Sequence, residues 1–257
     1  MKYGYMPSFE EDIKSEIEFA KKYFDFLEIT LPLGDDKLPK AVCDIEKART
    51  GLKIVGHLHW GIDLSSGSFS TIQKAVKTLS AYKRLGVKKI TCHPSTNDKF
   101  EYEILKRNNY KAISKILSFC EKHGLQLCIE NLKHKPFSSA AEIKRFTDQF
   151  PQLGITLDIG HALSIGEENL DSFFKFGKRI KHVHLHDAKN GFDHIPFTDN
   201  EKLKKVIKSL KEIRYNGTIT LEIFNTIKNN SHIQLSSASR RKKLLEQLKS
   251  ISNIASL

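Results

Sequence analysis

Eight short runs of apolar and β-branched residues alternate with eight longer amphipathic stretches, and this alternation most constrains the fold. Strands are predicted near 2–6, 25–31, 52–59, 87–93, 125–131, 153–159, 180–187 and 217–224. Helices are predicted near 10–23, 36–49, 70–85, 100–123, 139–149, 167–177, 200–213 and 238–254. Strands that alternate with helices form parallel sheets, and eight such units close into a barrel. We therefore expect a single (β/α)8 TIM-barrel domain over residues 1–257.

Small residues at the junctions agree with this pattern. Gly86, Gly124 and Gly217 each follow a predicted helix and precede a strand, where glycine closes a helix in the left-handed conformation. Serines at 65–70 and 138–139 precede helices whose free amides a hydroxyl can cap. The chain has no P-loop and no GxGxxG motif after its first strand, which disfavours a nucleotide-binding open sheet.

The composition is that of an ordinary globular protein. Apolar residues make up 39% of the 257 and charged residues 28%. No apolar run approaches the roughly 18 residues of a membrane span, and the segment MKYGYMPSFEED lacks the apolar stretch of a secretory signal. We expect a cytoplasmic protein that does not bind membranes. Its four cysteines have no CxxC spacing, so reduced core thiols are expected at Cys43, Cys92, Cys120 and Cys128.

The net charge of +12 could attract nucleic acid or phosphorylated metabolites. The basic residues, however, are spread over nearly every predicted helix. Such a dispersed coat is typical of a solvated surface. Charge alone therefore does not indicate a DNA-binding protein.

Polar residues cluster where six predicted strands end. The active site of a TIM barrel lies at the carboxyl ends of its strands. Eight of the eleven histidines fall in or directly after those ends. The side chains at or just past the strand ends are His57, His59, His93, Glu130, Asp158, His161, His184, His186, Asp187, His194 and Glu222.

The acids in this set indicate a metal site. Glu130, Asp158 and Glu222 each follow an apolar run, and buried carboxylates are costly unless a cation neutralises them. Imidazole suits Zn²⁺ or Mn²⁺, and carboxylates extend the choice toward harder cations. We expect one or two divalent ions, Zn²⁺ or Mn²⁺. His59 and His182 are expected to point away from the centre or to hydrogen-bond locally.

Six motifs in order resemble the xylose isomerase-like barrel superfamily, which also contains endonuclease IV. They lie between about 50 and 224. The first is His57 with Trp60 and residues 62–64, and the second is residues 85–86 followed by 93–94. The other four are residues 129–131, residues 157–158 with 160–162, residues 184–189, and residues 221–222. Each motif alone is weak, but six in the right order and at barrel spacing are a strong match. The first strands resemble the sugar isomerase and epimerase members more than endonuclease IV, because 6–8 read Met-Pro-Ser and 31–33 read Leu-Pro-Leu.

The resemblance implies ligand roles. Glu130 would bridge two metals, one held by His57 and His93. The other would be held by Asp158, His184 and Glu222. His161 and His194 would match ligands of a third ion in endonuclease IV. There the sequence departs from the family, because Phe192 occupies the acid position of its Asp-x-His motif and Asp193 stands one step out of place.

Our leading hypothesis is a metal-dependent isomerase or epimerase of a small sugar, keto-sugar or sugar phosphate. The cation would polarise neighbouring carbonyl and hydroxyl oxygens, and Glu130 and Glu222, on opposite sides of the mouth, would act as the acid–base pair. Predicted substrate contacts are Trp60, His186, Asp187 and Lys189. His186 and Asp187 could instead orient the metal ligands. Phe192, Phe197 and Phe224 could line a sugar cleft or fill the core.

Two alternatives stay open. One is an endonuclease IV-like enzyme that cuts DNA at abasic sites through a two-metal centre. The presence of His57 and His93 and the positive charge favour it, whereas Phe192 and the altered first strands count against it. The other is a barrel that binds metal or sugar without turnover. The presence of every expected carboxylate counts against that reading.

Overall fold

The computed structural model describes residues 1–8, 11–95, 97, 99–228 and 231–255. Its strands are β1 (Lys2–Tyr5), β2 (Phe26–Thr30), β3 (Lys53–His57), β4 (Lys89–Cys92), β5 (Gln126–Glu130), β6 (Gly154–Asp158), β7 (Ile180–Leu185), β8 (Asp187–Lys189), β9 (Phe192–Ile195), β10 (Thr218–Leu221), β11 (Asn225–Lys228) and β12 (Ser231–Gln234). Eight of them form a closed parallel barrel in the order β1-β10-β7-β6-β5-β4-β3-β2. The predicted (β/α)8 barrel is confirmed.

The helices cover the outside of the barrel. They are α1 (Ile13–Tyr23), α2 (Lys37–Ala48), α3 (Phe69–Arg84), α4 (Tyr102–Lys122), α5 (Ala140–Gln149), α6 (Ile159–Ile165), α7 (Glu167–Phe174), α8 (Asn200–Glu212) and α9 (Ser237–Ala255). Every predicted helix corresponds to one of these, although residue 10 of the first prediction lies outside the described residues. None of the helices in the described ranges is long and apolar enough to cross a bilayer.

The chain also forms elements that the periodicity did not predict. Helix α6 starts directly after β6, and the hairpins β8–β9 and β11–β12 follow the last two barrel strands. These additions lie at the carboxyl ends of the strands. They therefore extend the functional end of the barrel.

Capping confirms most of the predicted junctions. The Ser68 hydroxyl accepts a hydrogen bond from the Thr71 amide at the start of α3, and Ser139 forms a capping box at the start of α5. Gly86 and Gly124 have φ of 68° and 64°, as expected of glycines that close helices.

The prediction for Gly217 is wrong. The left-handed residue after α8 is Arg214, with φ of 54°, and Gly217 does not have a positive φ. Gly217 instead allows a close approach, because a Cβ there would lie 2.4 Å from the Tyr215 hydroxyl oxygen. The glycine therefore makes room for the Tyr215 ring.

The core has an apolar outer layer and a polar interior. Apolar residues fill the layer between strands and helices, including the free thiols of Cys92 on β4 and Cys120 on α4. Cys43, which was expected in the core, is only half-buried. Inside the barrel, the Thr91 and Thr156 hydroxyls meet at 2.9 Å. At the mouth, the Tyr82 hydroxyl of α3 lies 2.7 Å from the His57 carbonyl oxygen, which anchors the end of β3. The polar interior leads directly to the strand ends that carry the predicted ligands.

Candidate metal centre and adjoining cavity

Four predicted ligands converge at one point above the polar interior. Glu130, Asp158, His184 and Glu222 each contribute an atom to a cluster within 4.8 Å, and all four residues are buried. They come from β5, β6, β7 and the residue after β10, which are successive neighbours in the barrel. Adjacent parallel strands end at the same edge, and this brings the four side chains together.

His184 lies at the centre of this group. Its Nε2 is 3.2 Å from Glu28 Oε1, and its Nδ1 is 3.0 Å from Glu222 Oε2 and 3.4 Å from Glu130 Oε2. Both His184 Nδ1 and Glu222 Oε2 are buried without a hydrogen-bond partner, although they face each other. Buried polar atoms are normally satisfied, so two unpaired ones at this distance fit a shared cation. The residues therefore suit a divalent metal.

The electrostatics of the centre support the same interpretation. Burial opposes the charged form of His184, but Glu130, Glu28 and Glu222 outweigh it and raise the pKa of His184 well above its usual value. Burial likewise opposes ionisation of Glu130 and Glu222, yet neighbouring histidines lower the pKa of both carboxyls well below the ordinary value. The carboxylates are thus ionised. Positive charge must accompany them, carried by protonated imidazoles or by an ion.

Asp158 is held by two separate donors. Its Oδ1 accepts from the backbone amide of His161 at 2.6 Å, which caps α6, and its Oδ2 lies 3.0 Å from His186 Nε2. His186 Nδ1 lies 3.1 Å from the Asp187 carbonyl oxygen and also accepts from the His194 amide at 3.0 Å. Because that amide can only donate, we place the proton of His186 on Nε2. His186 therefore donates to Asp158 and orients it.

A second group shares Glu130. The Nε2 atoms of His57 and His93 lie 3.4 Å and 3.1 Å from Glu130 Oε2. His57 Nδ1 is 2.9 Å from the Leu58 carbonyl oxygen and donates to it, which leaves Nε2 facing the carboxylate. His57 Nε2 and Glu130 Oε2 are then two acceptors that face each other, unless a proton or a cation lies between them. His57, Glu130 and His184 also form a set that could hold a metal.

A third group lies beside hairpin β8–β9. His161, His186 and His194 have ligand atoms within 4.8 Å of one another. Asp193 Oδ1 is 3.1 Å from His194 Nδ1, and Asp193 Oδ2 is 3.9 Å from His161 Nε2 and 2.5 Å from Lys133 Nζ. Asp193, which is displaced by one residue from the acid position of the family motif, therefore still reaches this group. Burial opposes the charge of His194, but Glu222 and Asp193 outweigh it and raise its pKa to about 10.

Two buried residues below the centre were not predicted to face it. His182 was expected to point away or to bond locally, but it points into the barrel, where its Nε2 lies 2.8 Å from Glu28 Oε2. Both side chains are fully buried. The signal for Glu28 was available, since it is an acid within an otherwise apolar buried strand, Phe26–Thr30. The expected local bond of His59 is confirmed, because its Nδ1 accepts from the Gly61 amide at 2.9 Å.

A cavity of about 540 Å³ opens beside two of the predicted metal ligands. His93 and His161 border it on the side of the centre, and Trp60, Asp63 and Lys133 contribute to its outer wall. Trp60 is 60% exposed, so its ring is accessible to a bound molecule. The size is typical of a small-molecule site.

Of the four predicted substrate contacts, the described lining of this cavity includes only Trp60. His186 is fully buried behind Asp158, and Asp187 forms an ion pair with Lys202. Lys189 is exposed and borders a separate cavity of about 200 Å³. The chain leaves the barrel after β7 to form hairpin β8–β9, which carries Asp187 and Lys189 away from the larger cavity.

The aromatic residues suggested for a sugar cleft also lie elsewhere. The described lining of the larger cavity does not include Phe192, Phe197 or Phe224. Phe197 is buried, and the Phe224 ring packs 5.6 Å from the His194 ring. Trp60 is the aromatic side chain that reaches the cavity.

Comparison with known proteins gives a family and a fold. A family profile described as xylose isomerase-like TIM barrel matches residues 17–251. Two uncharacterised proteins of Methanocaldococcus jannaschii are similar, one 35% identical over 45% of this chain and 42% of its own length, the other 30% identical over 51% and 55%. The matched region spans about half the length of these relatives.

Solved structures resemble nearly the whole chain. A D-tagatose 3-epimerase-like protein has a TM-score of 0.75 at 23% identity, covering 99% of this chain and 100% of its own. D-psicose 3-epimerase of Clostridium cellulolyticum H10, solved with D-tagatose, has 0.75 at 17% identity and covers 99% of each chain. An L-ribulose 3-epimerase has 0.77 at 14%, covering 99% of this chain and 95% of its own. At these identities the likeness shows a shared fold.

Proposed function

This chain belongs to the xylose isomerase-like TIM-barrel family, and we propose that it is a divalent-metal-dependent isomerase or epimerase of a small sugar. One observation carries the proposal. The unpaired buried atoms His184 Nδ1 and Glu222 Oε2 lie 3.0 Å apart among ionised carboxylates. His93 and His161, which both lie close to Glu130, border a cavity of small-molecule size. The epimerases of the same fold support the choice of reaction class.

The metal would be held by Glu130, Asp158, His184 and Glu222. Three carboxylates and one imidazole favour Mn²⁺, with Zn²⁺ as the second choice. A bound divalent ion supplies polarisation of adjacent carbonyl and hydroxyl oxygens, which makes the intervening C–H group more acidic.

Glu130 and Glu222 are the proposed acid–base pair. Strands β6 and β7 lie between their strands, so the two carboxylates reach the centre from strands that are not adjacent. We propose that a bound sugar has one carboxylate on each face. Removal of a proton by one and its return by the other would invert a carbon centre. His57 and His93 orient Glu130, and His194, whose Nε2 is 3.5 Å from Glu222 Oε1, orients Glu222.

Substrate binding is assigned to the 540 Å³ cavity. The exposed Trp60 ring would stack on the C–H face of a sugar. Asp63 and Asn97 also border the cavity, where Asn97 Nδ2 donates to Asp63 Oδ2 at 3.2 Å, so a sugar hydroxyl would join an existing hydrogen bond there. Lys133, which also borders the cavity, is already paired with Asp193. This arrangement favours an uncharged sugar over a sugar phosphate.

Proton exchange in D₂O tests the proposal directly. The Mn²⁺-loaded protein is incubated with aldoses, ketoses and their phosphates, and NMR monitors deuterium entry and new isomers. We expect exchange with at least one free sugar, and Glu222→Gln should abolish it and weaken Mn²⁺ binding. Glu212→Gln, at an exposed position on α8, is the control. A Glu222→Gln protein that keeps both exchange and Mn²⁺ affinity would refute the assignment.

A second candidate function is hydrolysis of DNA at abasic sites. The observation that favours it is the additional ligand set of His57 and His93 around Glu130, which one ion does not need. A duplex with one abasic analogue is incubated with the protein and Zn²⁺. A nick that disappears in His93→Ala would support hydrolysis, whereas sugar exchange without a nick would support the isomerase.

A further inference from the structure

Below the proposed metal centre, Glu28 lies fully buried on β2 with both carboxylate oxygens in contact with hydrogen-bond donors. We propose that Glu28 is a positioning residue, which holds the Nε2 proton of His184 and so directs His184 Nδ1 at the metal. The inference rests on the metal site of the proposed function. It assigns a role to the buried Glu28 carboxylate, which takes no part in the proposed reaction.

The chemistry of the groups fixes the direction of the hydrogen bond. A carboxylate only accepts, so at 3.2 Å from Glu28 Oε1 the Nε2 of His184 must be the protonated nitrogen. This leaves Nδ1 facing Glu222 and Glu130, at 3.0 and 3.4 Å, where its lone pair would be available to a bound ion. Histidines that bind metals commonly donate their other N–H to a carboxylate, which sets the ring orientation and raises its basicity.

Glu28 itself is held from across the barrel. Its Oε2 lies 2.8 Å from His182 Nε2 and 2.5 Å from the Thr220 hydroxyl oxygen. His182 is anchored in turn, because its Nδ1 is 2.7 Å from the Thr218 hydroxyl oxygen. Glu28 thus connects β2 to β7 and β10. Small movements of the carboxylate would break several bonds at once.

Glu28, His182 and His184 could by distance alone hold an ion themselves. The hydrogen bonds argue against this. Glu28 already accepts from two imidazoles and a hydroxyl, and neither Glu28 nor His182 has an unpaired buried atom. The unpaired atom of the group is Nδ1 of His184, which faces the centre above. The geometry is therefore that of a support for the metal site.

Glu28→Gln tests the role. The glutamine amide offers one acceptor oxygen, and its NH₂ group takes the place of the other. The hydrogen bond from His184 and the hydrogen bonds from His182 and Thr220 therefore cannot all persist. Mn²⁺ affinity is measured by calorimetry on protein whose folding is verified by circular dichroism. We expect binding weaker by about 10–100-fold, the usual effect of removing such a partner.

Glu16→Gln is the matched control. Glu16 is also buried, but it pairs with Tyr5, Arg240 and Arg241 on the helix side of β1, away from the centre. This variant should lose stability and keep wild-type Mn²⁺ affinity. NMR of ¹⁵N-histidine in the Zn²⁺-loaded protein adds a second readout. The Nε2–H signal of His184 should shift in Glu28→Gln and stay unchanged in Glu16→Gln.

The outcomes separate this inference from the proposed function. If the wild type binds Mn²⁺ and Glu222→Gln weakens binding, but folded Glu28→Gln binds normally with an unshifted His184 signal, the positioning role is refuted. If the wild type binds no Mn²⁺, the metal site itself fails. Should Glu28→Gln not fold, Thr220→Val removes one donor to Glu28 at nearly constant volume. Wild-type affinity and an unshifted His184 signal in that variant would overturn the inference.

Discussion

Replacement of Asp158 by asparagine separates the structural role of this residue from its proposed metal role. The two oxygens of Asp158 accept from different donors, the His161 amide at 2.6 Å and His186 Nε2–H at 3.0 Å. An asparagine has one oxygen, so whichever way it turns, one of these donors faces an NH₂ group. A buried donor without an acceptor costs about 1–3 kcal/mol. Raised pKa values leave His184 and His194 positive in the metal-free protein, so removing one negative charge relieves little repulsion.

Metal-free Asp158→Asn should therefore lose about 1–3 kcal/mol in the free energy of unfolding. Urea denaturation in the presence of a chelator measures this loss. Asp199→Asn is the control, because Asp199 caps α8 with Oδ1 alone, accepting from the amides of Glu201 and Lys202. Asparagine caps helices as well as aspartate, so this variant should be as stable as the wild type. Equal losses in both variants, or no loss in Asp158→Asn, would refute the reasoning.

Three further predictions concern the metal, pH and substrate. Mn²⁺ at about 100 times its Kd should raise the free energy of unfolding by about 2.7 kcal/mol and Tm by roughly 5–10 °C, which a thermal melt with and without metal checks. In chelated protein, the pKa of His194 is raised to about 10 by the fold, so its protonation stabilises the folded state fully below about pH 6.5. This stabilisation is lost as the pH rises toward 10. His194→Gln should flatten that part of the stability–pH curve, and an unchanged curve would contradict the assignment. Trp60→Ala should raise KM for the sugar identified by exchange while Tm stays constant, because the ring is 60% exposed; an unchanged KM would remove Trp60 from the site.

The sequence was sufficient to predict which side chains meet at the strand ends. Glu130 and Asp158 end β5 and β6, and His184 is the second-last residue of β7. The fold brings the ends of such neighbouring strands together whatever the details of packing. Their chemistry is also visible in the sequence, since acids directly after apolar runs must be neutralised. Motif order and barrel geometry therefore led to the same cluster.

The residues that hold these side chains in place were harder to predict. Glu28 lies in the middle of β2, and its partners are 154 to 192 residues away, so only the barrel as a whole brings them together. The contact of Asp193 with His161 depends on the backbone of β9, where the next residue, His194, has a φ of 55°. Alternation along a strand does not determine such a conformation. These residues follow from tertiary structure rather than from local pattern.

The most direct test of the account is anomalous scattering from crystals grown with Mn²⁺. We predict a strong anomalous peak among Glu130, Asp158, His184 and Glu222, with His184 bound through Nδ1. A second peak between His57 and His93 would favour the two-metal hydrolytic alternative. Absence of any peak among the four ligands at saturating Mn²⁺, with their carboxylates bonded only to protonated histidines, would contradict the metal-centred function.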